Sequence, residues 1–352
     1  MPTTNQTSTP LPLGLADWMD AAGVGSGPIG RAEILTGGTQ HLMIGFERGG
    51  KRYVLRQAAE AESSEARVLQ REIRVLSALS ESDVPHAPLV ASAPDGDEAV
   101  GPTFYLVDYV DGVNLMVTGL HAPDTDRAAT DAMAFGMASA LAALTKVTVD
   151  DGPLQGLGRP EGFLARQPTR WMNAIEDHAR TPGWDGISPA QIEPIISWLE
   201  DHLPDPVPPS LMHGDYQVAN VLFHPTAGAP TAIIDWEMAT VGDPRLDLGW
   251  MLSIWPDRPG EDDLFRSALG RRPHLPSATA VAREYETVSG INLVDLPWFR
   301  VMAALKFAVV LEGGYAAALR SGHVPPKTTQ LHGYARALFD RALQWQAQER
   351  SL

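Results

Sequence analysis

Two short apolar runs inside residues 210–252 constrain this chain more than any other feature. The runs are Val221 to Phe223 and Thr231 to Ile234, and a segment rich in proline and glycine separates them. This pattern predicts a β-hairpin. Three oxygen-bearing side chains lie just before the first run or just after the second: Asp215, Asn220 and Asp235. Because the two ends of a hairpin are adjacent in space, we expect these side chains to converge.

Their convergence predicts a site for phosphate chemistry. A carboxylate and an amide oxygen are hard ligands that suit Mg²⁺, which keeps places for phosphate oxygens and water. Asn220 and Asp235 are the expected metal ligands, and Asp215 is the expected base that orients an attacking hydroxyl. Aspartate and asparagine also favour turns for conformational reasons, which is the alternative interpretation. A metal-dependent phosphohydrolase built on His213, Asp215 and Asp235 is a further hypothesis.

The same stretch resembles the aminoglycoside phosphotransferase family, a small-molecule branch of the protein-kinase fold that includes choline-kinase-like enzymes. Three motifs carry the resemblance in order: His213-Gly214-Asp215-x-x-x-x-Asn220, Ile233-Ile234-Asp235-Trp236-Glu237 and Gly242-Asp243-Pro244-x-x-Asp247. The Gly-Arg-Pro-Glu-Gly segment at 158–162 is similar to kinase-like domains attached to some acyl-CoA dehydrogenases. The resemblance implies ATP and Mg²⁺ as cofactors and a small-molecule hydroxyl as the phosphate acceptor.

The resemblance also implies the fold class, an α+β protein-kinase-like bilobal fold. It has a small β-rich amino-terminal lobe, expected over residues 1–108, and a large, mainly helical carboxy-terminal lobe over 109–352. The hydropathy pattern changes from strand-like to helical near this boundary. Residues 1–12 are polar and aperiodic, so we expect them to be disordered.

The expected nucleotide loop is a glycine-containing turn between strands predicted at 31–35 and 42–46. Glycines there let backbone amides approach phosphate oxygens, although a Gly-Gly pair is also typical of an ordinary hairpin turn. In the family that the sequence resembles, the nucleotide-binding loop lies at the position of this turn. The candidate residues are Gly37, Gly38 and Thr39.

Val54 and Arg56 share one face of a predicted strand, where they suit an adenine ring and its phosphates. Kinase-like proteins usually have lysine at the second position; arginine offers a planar fork instead, and a surface arginine is the alternative interpretation. Glu72 lies on the apolar face of a helix predicted over 63–78, where an unpaired carboxylate is costly. The resemblance implies that Glu72 pairs with Arg56.

Four further assignments follow from position. The resemblance places Asp108 and Val110 in the hinge, whose backbone groups bind adenine, and implies that Asp247 accepts hydrogen bonds from the catalytic loop. His213 is interpreted as structural. Three polar residues on a helix predicted over 298–319 lie at spacings that could reach an acceptor site in the cleft, but packing is the preferred interpretation: Lys306, Glu312 and Tyr315.

Composition limits the classes of function. The net charge is −16, with 43 acidic and 27 basic residues, which argues against a nucleic-acid partner. There is no cysteine, so disulfides and thiolate nucleophiles are excluded. The polar start lacks a signal-peptide pattern, and charges within 298–319 disfavour a membrane span, so we expect a cytoplasmic protein without a membrane partner.

The remaining segments predict a loop at 85–94, a strand at 103–107 and helices at 13–22, 126–147, 171–179, 192–203, 261–269, 277–289 and 327–349. A nucleotide-binding pseudokinase with a regulatory or scaffold role is the alternative function, and the arginine at position 56 motivates it.

Overall fold

The structure is a computed structural model that describes residues 11–35, 42–256, 258, 260 and 264–349. The candidate loop residues Gly37, Gly38 and Thr39 lie outside the described residues, as do residues 1–10 of the segment expected to be disordered.

An antiparallel sheet of five strands forms the amino-terminal lobe. Its strands are β1 (Ile29–Ile34), β2 (Leu42–Arg48), β3 (Lys51–Gln57), β4 (Leu89–Ala93) and β5 (Phe104–Asp108), in the order β1-β2-β3-β5-β4. The loop predicted over 85–94 is wrong for Leu89 to Ala93, because the backbone of these residues pairs with β5 and forms strand β4. The helix α1 (Leu15–Ala21) covers one face of the sheet and buries Leu15 and Met19 against it.

The helix α2 (Ser64–Leu79) lies on the other side of the lobe and faces the carboxy-terminal lobe. It begins at Ser63, whose hydroxyl accepts a hydrogen bond of 3.0 Å from the Ala66 amide. This cap satisfies one of the free amides of the first turn. Leu69 and Leu76 recur on the apolar stripe of α2 and are fully or almost fully buried.

Helices dominate the chain after β5. They are α3 (Arg127–Ala143), α4 (Gln167–Ala179), α5 (Pro189–Asp201), α6 (Arg245–Ser253), α7 (Ala278–Ser289), α8 (Leu296–Ser321) and α9 (Pro326–Glu349). Two small antiparallel pairs lie among them, β6 (Ser210–Met212) with β9 (Thr240–Gly242) and β7 (Val221–Phe223) with β8 (Pro230–Ile233). The β7–β8 pair confirms the predicted hairpin, and the whole arrangement confirms the bilobal α+β kinase-like fold.

The helix predicted over 261–269 is wrong for residues 264–269, which form turns; residues 261–263 lie outside the described part of the chain. Arg266 has a left-handed backbone with φ of 56°, which a helix cannot contain. Phe265 instead packs its ring against Phe307 of α8 and Tyr334 of α9. Tertiary packing therefore overrides the local helical pattern.

The two lobes are joined by hydrogen bonds as well as by the chain. The Ile233 amide of β8 donates to the Pro85 carbonyl at 2.8 Å. From α2, Arg71 donates to the Glu237 carbonyl at 3.3 Å, and Arg74 donates to the Pro153 carbonyl at 2.8 Å. These contacts attach α2 and the loop before β4 to the carboxy-terminal lobe.

Within the part of the chain that the structure describes, two helical segments are long and apolar enough to cross a membrane by length and composition alone, residues 127–146 and α8. The protein fold buries 56% and 61% of their apolar windows, respectively. Core helices of large domains meet the same length and composition criteria, so the helices carry no argument for a membrane.

Candidate active site

The loop between β6 and β7 is held in one conformation by backbone hydrogen bonds. The Asp247 carboxylate, at the start of α6, accepts from the amides of His213 at 2.6 Å and Gly214 at 3.0 Å. This confirms the predicted role of Asp247. Gly214 has φ of 84°, and a Cβ atom there would lie 2.3 Å from the Met238 carbonyl oxygen. Only glycine fits this close approach.

His213 is fully buried and has a structural role, as predicted. Its Nε2 atom lies 2.9 Å from the Ile234 carbonyl oxygen, and its Nδ1 atom accepts from the Asp215 amide at 3.3 Å. These two contacts occupy both ring nitrogens of the imidazole. The histidine therefore ties the catalytic loop to the end of the hairpin.

The Asp215 carboxylate is fixed by three side-chain donors. Its Oδ1 atom accepts from Trp250 Nε1 at 2.9 Å and from Gln217 Nε2 at 2.7 Å, while Oδ2 accepts from Asn220 Nδ2 at 2.9 Å. Burial raises the pKa of this carboxyl, and the charges of His213 and Lys306 act in the opposite direction. A carboxylate so positioned can accept a proton from a hydroxyl group.

Asn220 and Asp235 lie at the end of the β7–β8 hairpin that is opposite its turn. The Ile234 amide donates to the Asn220 carbonyl at 2.9 Å, which places the residue before Asp235 beside the residue that precedes β7. Asp235 has a left-handed backbone with φ of 66°, a conformation that aspartate tolerates better than most residues. The structure thus brings the Asp215 and Asn220 side chains into contact and places the Asp235 backbone next to Asn220. Convergence of the Asp235 side chain with the other two stays a prediction.

The donor set at this end of the hairpin fits Mg²⁺. The Asn220 amide nitrogen donates to Asp215, so its amide oxygen is the atom available to a cation. The Oδ1 atom of Asp235 is buried without a hydrogen-bond partner, as expected of a ligand oxygen. Among the described residues no three histidine, aspartate or glutamate side chains gather as a metal cage. Mg²⁺ commonly uses few protein ligands together with phosphate oxygens and water.

Arg56 of β3 forms the predicted ion pair with Glu72 of α2. Its Nη1 atom lies 3.0 Å from Glu72 Oε1, and its Nη2 atom lies 3.8 Å from Asp235 Oδ1. The Tyr105 hydroxyl donates to Glu72 Oε2 at 3.0 Å. Burial raises the pKa of this tyrosine well above its ordinary value, and the charge of Glu72 adds to the effect. Arg56 therefore connects α2 to the candidate metal ligand.

The other nucleotide candidates lie along the same part of the lobe. Val54 is half-buried on β3 and pairs with Val107 of β5. Asp108 ends β5, where its amide donates to the Pro88 carbonyl at 3.0 Å, and Val110 follows it into the carboxy-terminal lobe. These positions agree with a hinge at the end of β5, and their contacts with a nucleotide stay a prediction.

Lys306 reaches the catalytic loop, which corrects its interpretation as a packing residue. Its Nζ atom donates to the Gly214 carbonyl at 2.7 Å and lies 4.2 Å from the centre of the Trp250 ring. Sequence reasoning also missed Trp250 as a partner of Asp215. The signal for both was present, because a lysine or an indole N–H inside an apolar helix needs a specific partner.

Glu312 and Tyr315 lie away from the catalytic loop, which agrees with their interpretation as packing residues. Glu312 is fully buried and accepts from the Ile187 amide at 3.3 Å and from His332 at 3.1 Å. The Tyr315 hydroxyl donates to Asp185 at 2.9 Å. Both residues therefore anchor the segment between α4 and α5 to α8.

Taken together, the fold and the site define a protein of the kinase-like class, with an aspartate-bearing catalytic loop beneath a β-rich lobe. The chain belongs to the phosphotransferase enzyme family (APH), whose sequence profile matches residues 32–285. This confirms the family resemblance of the three motifs.

Curated relatives place the chain near the kinase-like part of larger proteins. It is 27% identical over 275 residues to mouse acyl-CoA dehydrogenase family member 10 and 28% identical over 283 residues to chicken acyl-CoA dehydrogenase family member 11. These alignments cover 76% and 78% of this chain but only 24% and 35% of the relatives. The chain thus spans about a quarter to a third of the length of the curated relatives.

Solved structures support the fold. A candidate aminoglycoside phosphotransferase from Ralstonia eutropha JMP134 has a TM-score of 0.76 at 24% identity and covers 95% of this chain and 97% of its own. APH(4)-Ia in complex with ADP and hygromycin B has a TM-score of 0.56 at 18% identity, covering 94% and 98%. The GDP complex of aminoglycoside 2'-phosphotransferase-IIIa has a TM-score of 0.58 at 18% identity, covering 92% and 94%.

Proposed function

We propose that this protein is an ATP- and Mg²⁺-dependent phosphotransferase that moves the γ-phosphate to a hydroxyl of a small molecule. The observation that carries the proposal is that Asp215, Asn220 and Asp235 lie at one end of the β7–β8 hairpin, with a buried oxygen on Asp235 that has no hydrogen-bond partner. Family membership supports the phosphotransferase class, and the nucleotide complexes of the structural neighbours support nucleotide use.

Each group has a distinct task in this proposal. Asp215 orients the acceptor hydroxyl and takes its proton, because Trp250, Gln217 and Asn220 hold the carboxylate in one orientation. Arg56 contributes positive charge near the phosphates and is itself held by Glu72. Phosphoryl transfer depends mainly on such positioning and charge stabilisation.

Asn220 and Asp235 would hold Mg²⁺, which would neutralise charge on the phosphates. The carboxylate of Asp235 also lies near Arg56, so its negative charge would be shared by the arginine and the metal. This sharing would limit repulsion between the two positive groups.

The acceptor is a hydroxyl-bearing metabolite, either a hydroxyacyl compound or a sugar-like compound. Similarity to acyl-CoA dehydrogenase family members favours the first class, and the aminoglycoside phosphotransferase neighbours favour the second. Beside Asp215, the rings of Trp250 and Phe307 stack 4.0 Å apart within the hydrophobic core. One scaffold hosts many acceptors, so fold alone does not choose between them.

A screen of hydroxylated metabolites with purified protein and Mg-ATP tests the proposal. Release of ADP and a phosphorylated product are expected with the true acceptor, and the rate of both should fall by at least about 100-fold in Asp215→Asn. Retention of full activity in both Asp215→Asn and Asp235→Asn would show that the roles are wrongly assigned.

A nucleotide-binding pseudokinase is the second candidate, and Arg56 is the observation that favours it. Arginine differs from lysine in geometry at a phosphate, so nucleotide could bind without transfer. Tight Mg-ATP binding with neither transfer to any acceptor nor slow hydrolysis in a single-turnover assay would select this candidate.

A further inference from the structure

Lys306 is a buried positive charge beside the catalytic loop. It lies in the middle of α8 between apolar neighbours, and only 6% of the residue is exposed. Its ammonium group donates to the Gly214 carbonyl at 2.7 Å, across 92 positions of sequence. A buried ammonium without partners is strongly unfavourable, so this placement requires the surrounding groups to compensate.

Those compensating groups belong to the catalytic machinery. The ammonium lies 4.2 Å from the centre of the Trp250 ring, and the same indole donates its N–H to Asp215 Oδ1 at 2.9 Å. Attraction by Asp247 and Asp215 partly offsets the burial that lowers the pKa of Lys306 to about 8. The side chain is therefore predominantly charged at neutral pH.

The backbone around Gly214 is thus held from both sides. Asp247 accepts its amide hydrogen at 3.0 Å, and Lys306 donates to its carbonyl oxygen at 2.7 Å. The next residue in the chain is Asp215. Movement of this peptide would turn the carboxylate away from the position at which it meets an acceptor.

We propose that Lys306 is a positioning residue for Asp215, acting through the Gly214 carbonyl and through the indole ring of Trp250. This inference rests on the proposed phosphotransferase function. In this role the ammonium fixes the catalytic loop and orients the indole donor, without itself contacting the transferred group.

The central test compares Lys306→Met with Lys327→Met, a matched control on the exposed start of α9. The reaction is single-turnover hydrolysis of Mg-ATP, with water as the acceptor, so no identified substrate is needed. We expect Lys306→Met to lower the rate constant by about 100-fold, the scale of a small misplacement of a catalytic group, with unchanged Mg-ATP affinity. Lys327→Met should match the wild type in both quantities.

Hydrogen exchange provides a second measurement that does not depend on turnover. Lys306→Met should accelerate exchange at the amides of residues 213–216 and leave α6 and α8 otherwise protected. Exchange that rises throughout the lobe, with a lower melting temperature and weaker nucleotide binding, would identify Lys306 as a packing residue and overturn the proposal.

Restoring the ammonium completes the test. The chain contains no cysteine, so Lys306→Cys can be alkylated selectively with 2-bromoethylamine while unfolded and then refolded. Recovery of hydrolysis and of loop protection supports positioning by the ammonium group, provided that wild type carried through the same treatment stays active. No loss of rate and no change in loop exchange in Lys306→Met would contradict it.

The two proposals fail in different ways. Absence of Mg-ATP turnover and of transfer in the wild type would contradict the proposed function. Loop exchange would then decide the role of Lys306: confined acceleration at 213–216 supports positioning, and unchanged exchange overturns it.

Discussion

At the scale of single residues, the site depends on how tightly the Asp215 carboxylate is held. Three donors converge on its two oxygens: Gln217 and Asn220 from the loop between β6 and β7, and Trp250 from α6. Such a carboxylate loses little freedom when an acceptor binds. Removing its charge should therefore lower the rate of phosphate transfer far more than the affinity for nucleotide.

Asp215→Asn should lower phosphate transfer by about 100-fold to 10,000-fold, the usual contribution of a general base. Nucleotide affinity should be nearly unchanged, because the carboxylate is not a proposed ligand of the nucleotide or the metal. Product formation at saturating Mg-ATP and calorimetric titration with ADP measure the two effects. Asp201→Asn, at the exposed end of α5, is the control and should behave as wild type. Equal loss of binding and rate would contradict the assignment.

Lys306 gives a pH dependence whose sign follows from burial. Its pKa falls from 10.5 to about 8 in the folded protein, so between these values the unfolded chain binds more protons than the folded one. The unfavourable burial of the charge is complete below about pH 8 and disappears as pH rises toward 10.5. Wild type should therefore gain about 3 kcal/mol relative to Lys306→Met across this range.

Urea denaturation of both proteins at several pH values between 7 and 10.5 checks this prediction. The comparison cancels tyrosines and other groups that titrate in both chains. A difference in unfolding free energy that stays constant with pH would show that Lys306 is not buried as a charge.

At the scale of elements, the contact between α6 and α8 decides whether Trp250 and Lys306 meet. Gly249 permits this contact, because a Cβ atom there would lie 2.5 Å from the Phe299 carbonyl oxygen of α8. Backbone atoms of a packed helix cannot move aside cheaply, so the two helices would have to separate. The element that carries Lys306 is thus placed by a residue beside the indole that it contacts.

Gly249→Ala should destabilise the protein by about 1–3 kcal/mol through overpacking and should also reduce phosphate transfer. Gly314→Ala is the matched control on the exposed side of α8, where nothing lies within 4 Å of an added Cβ atom. That control should be stabilising by about 0.5–1 kcal/mol, the usual preference for alanine in a helix. Chemical denaturation measures both. Similar stability of the two variants would mean that α6 and α8 adjust independently.

Local patterns predicted the elements, and non-local contacts explain what they missed. The hairpin and α2 were predictable because their signals, an apolar period and a capping serine, lie within the segments themselves. The resemblance supplied the Arg56–Glu72 pair, which joins two separate elements. Strand β4 depends on pairing with β5, and the link from Lys306 to Gly214 depends on how α8 packs. A lysine inside an apolar helix signals that it needs a partner, but in neither contact does the local sequence identify that partner.

At the scale of the whole molecule, nucleotide binding should stabilise the fold by mass action. Mg-ADP at about 100 times its dissociation constant should raise the free energy of unfolding by about 3 kcal/mol in wild type. Asp235→Asn should lose the part that depends on magnesium, because it removes the only carboxylate among the two proposed ligands. Thermal denaturation with ADP, with and without Mg²⁺, measures this. An equal magnesium effect in Asp235→Asn and Asp201→Asn would exclude Asp235 as a ligand.

Helix α2 is attached to the carboxy-terminal lobe by hydrogen bonds from Arg71 and Arg74, and the loop that follows it is attached by the bond between Ile233 and Pro85. We therefore expect α2 to move with the carboxy-terminal lobe. If the five-stranded sheet tilts during a catalytic cycle, α2 should keep its position relative to the β7–β8 hairpin, and β3 should move relative to both. In the ion pair, Glu72 would then stay in place with α2, and Arg56 would move with β3. The separation of these two side chains would serve as a gauge of how far the cleft has opened.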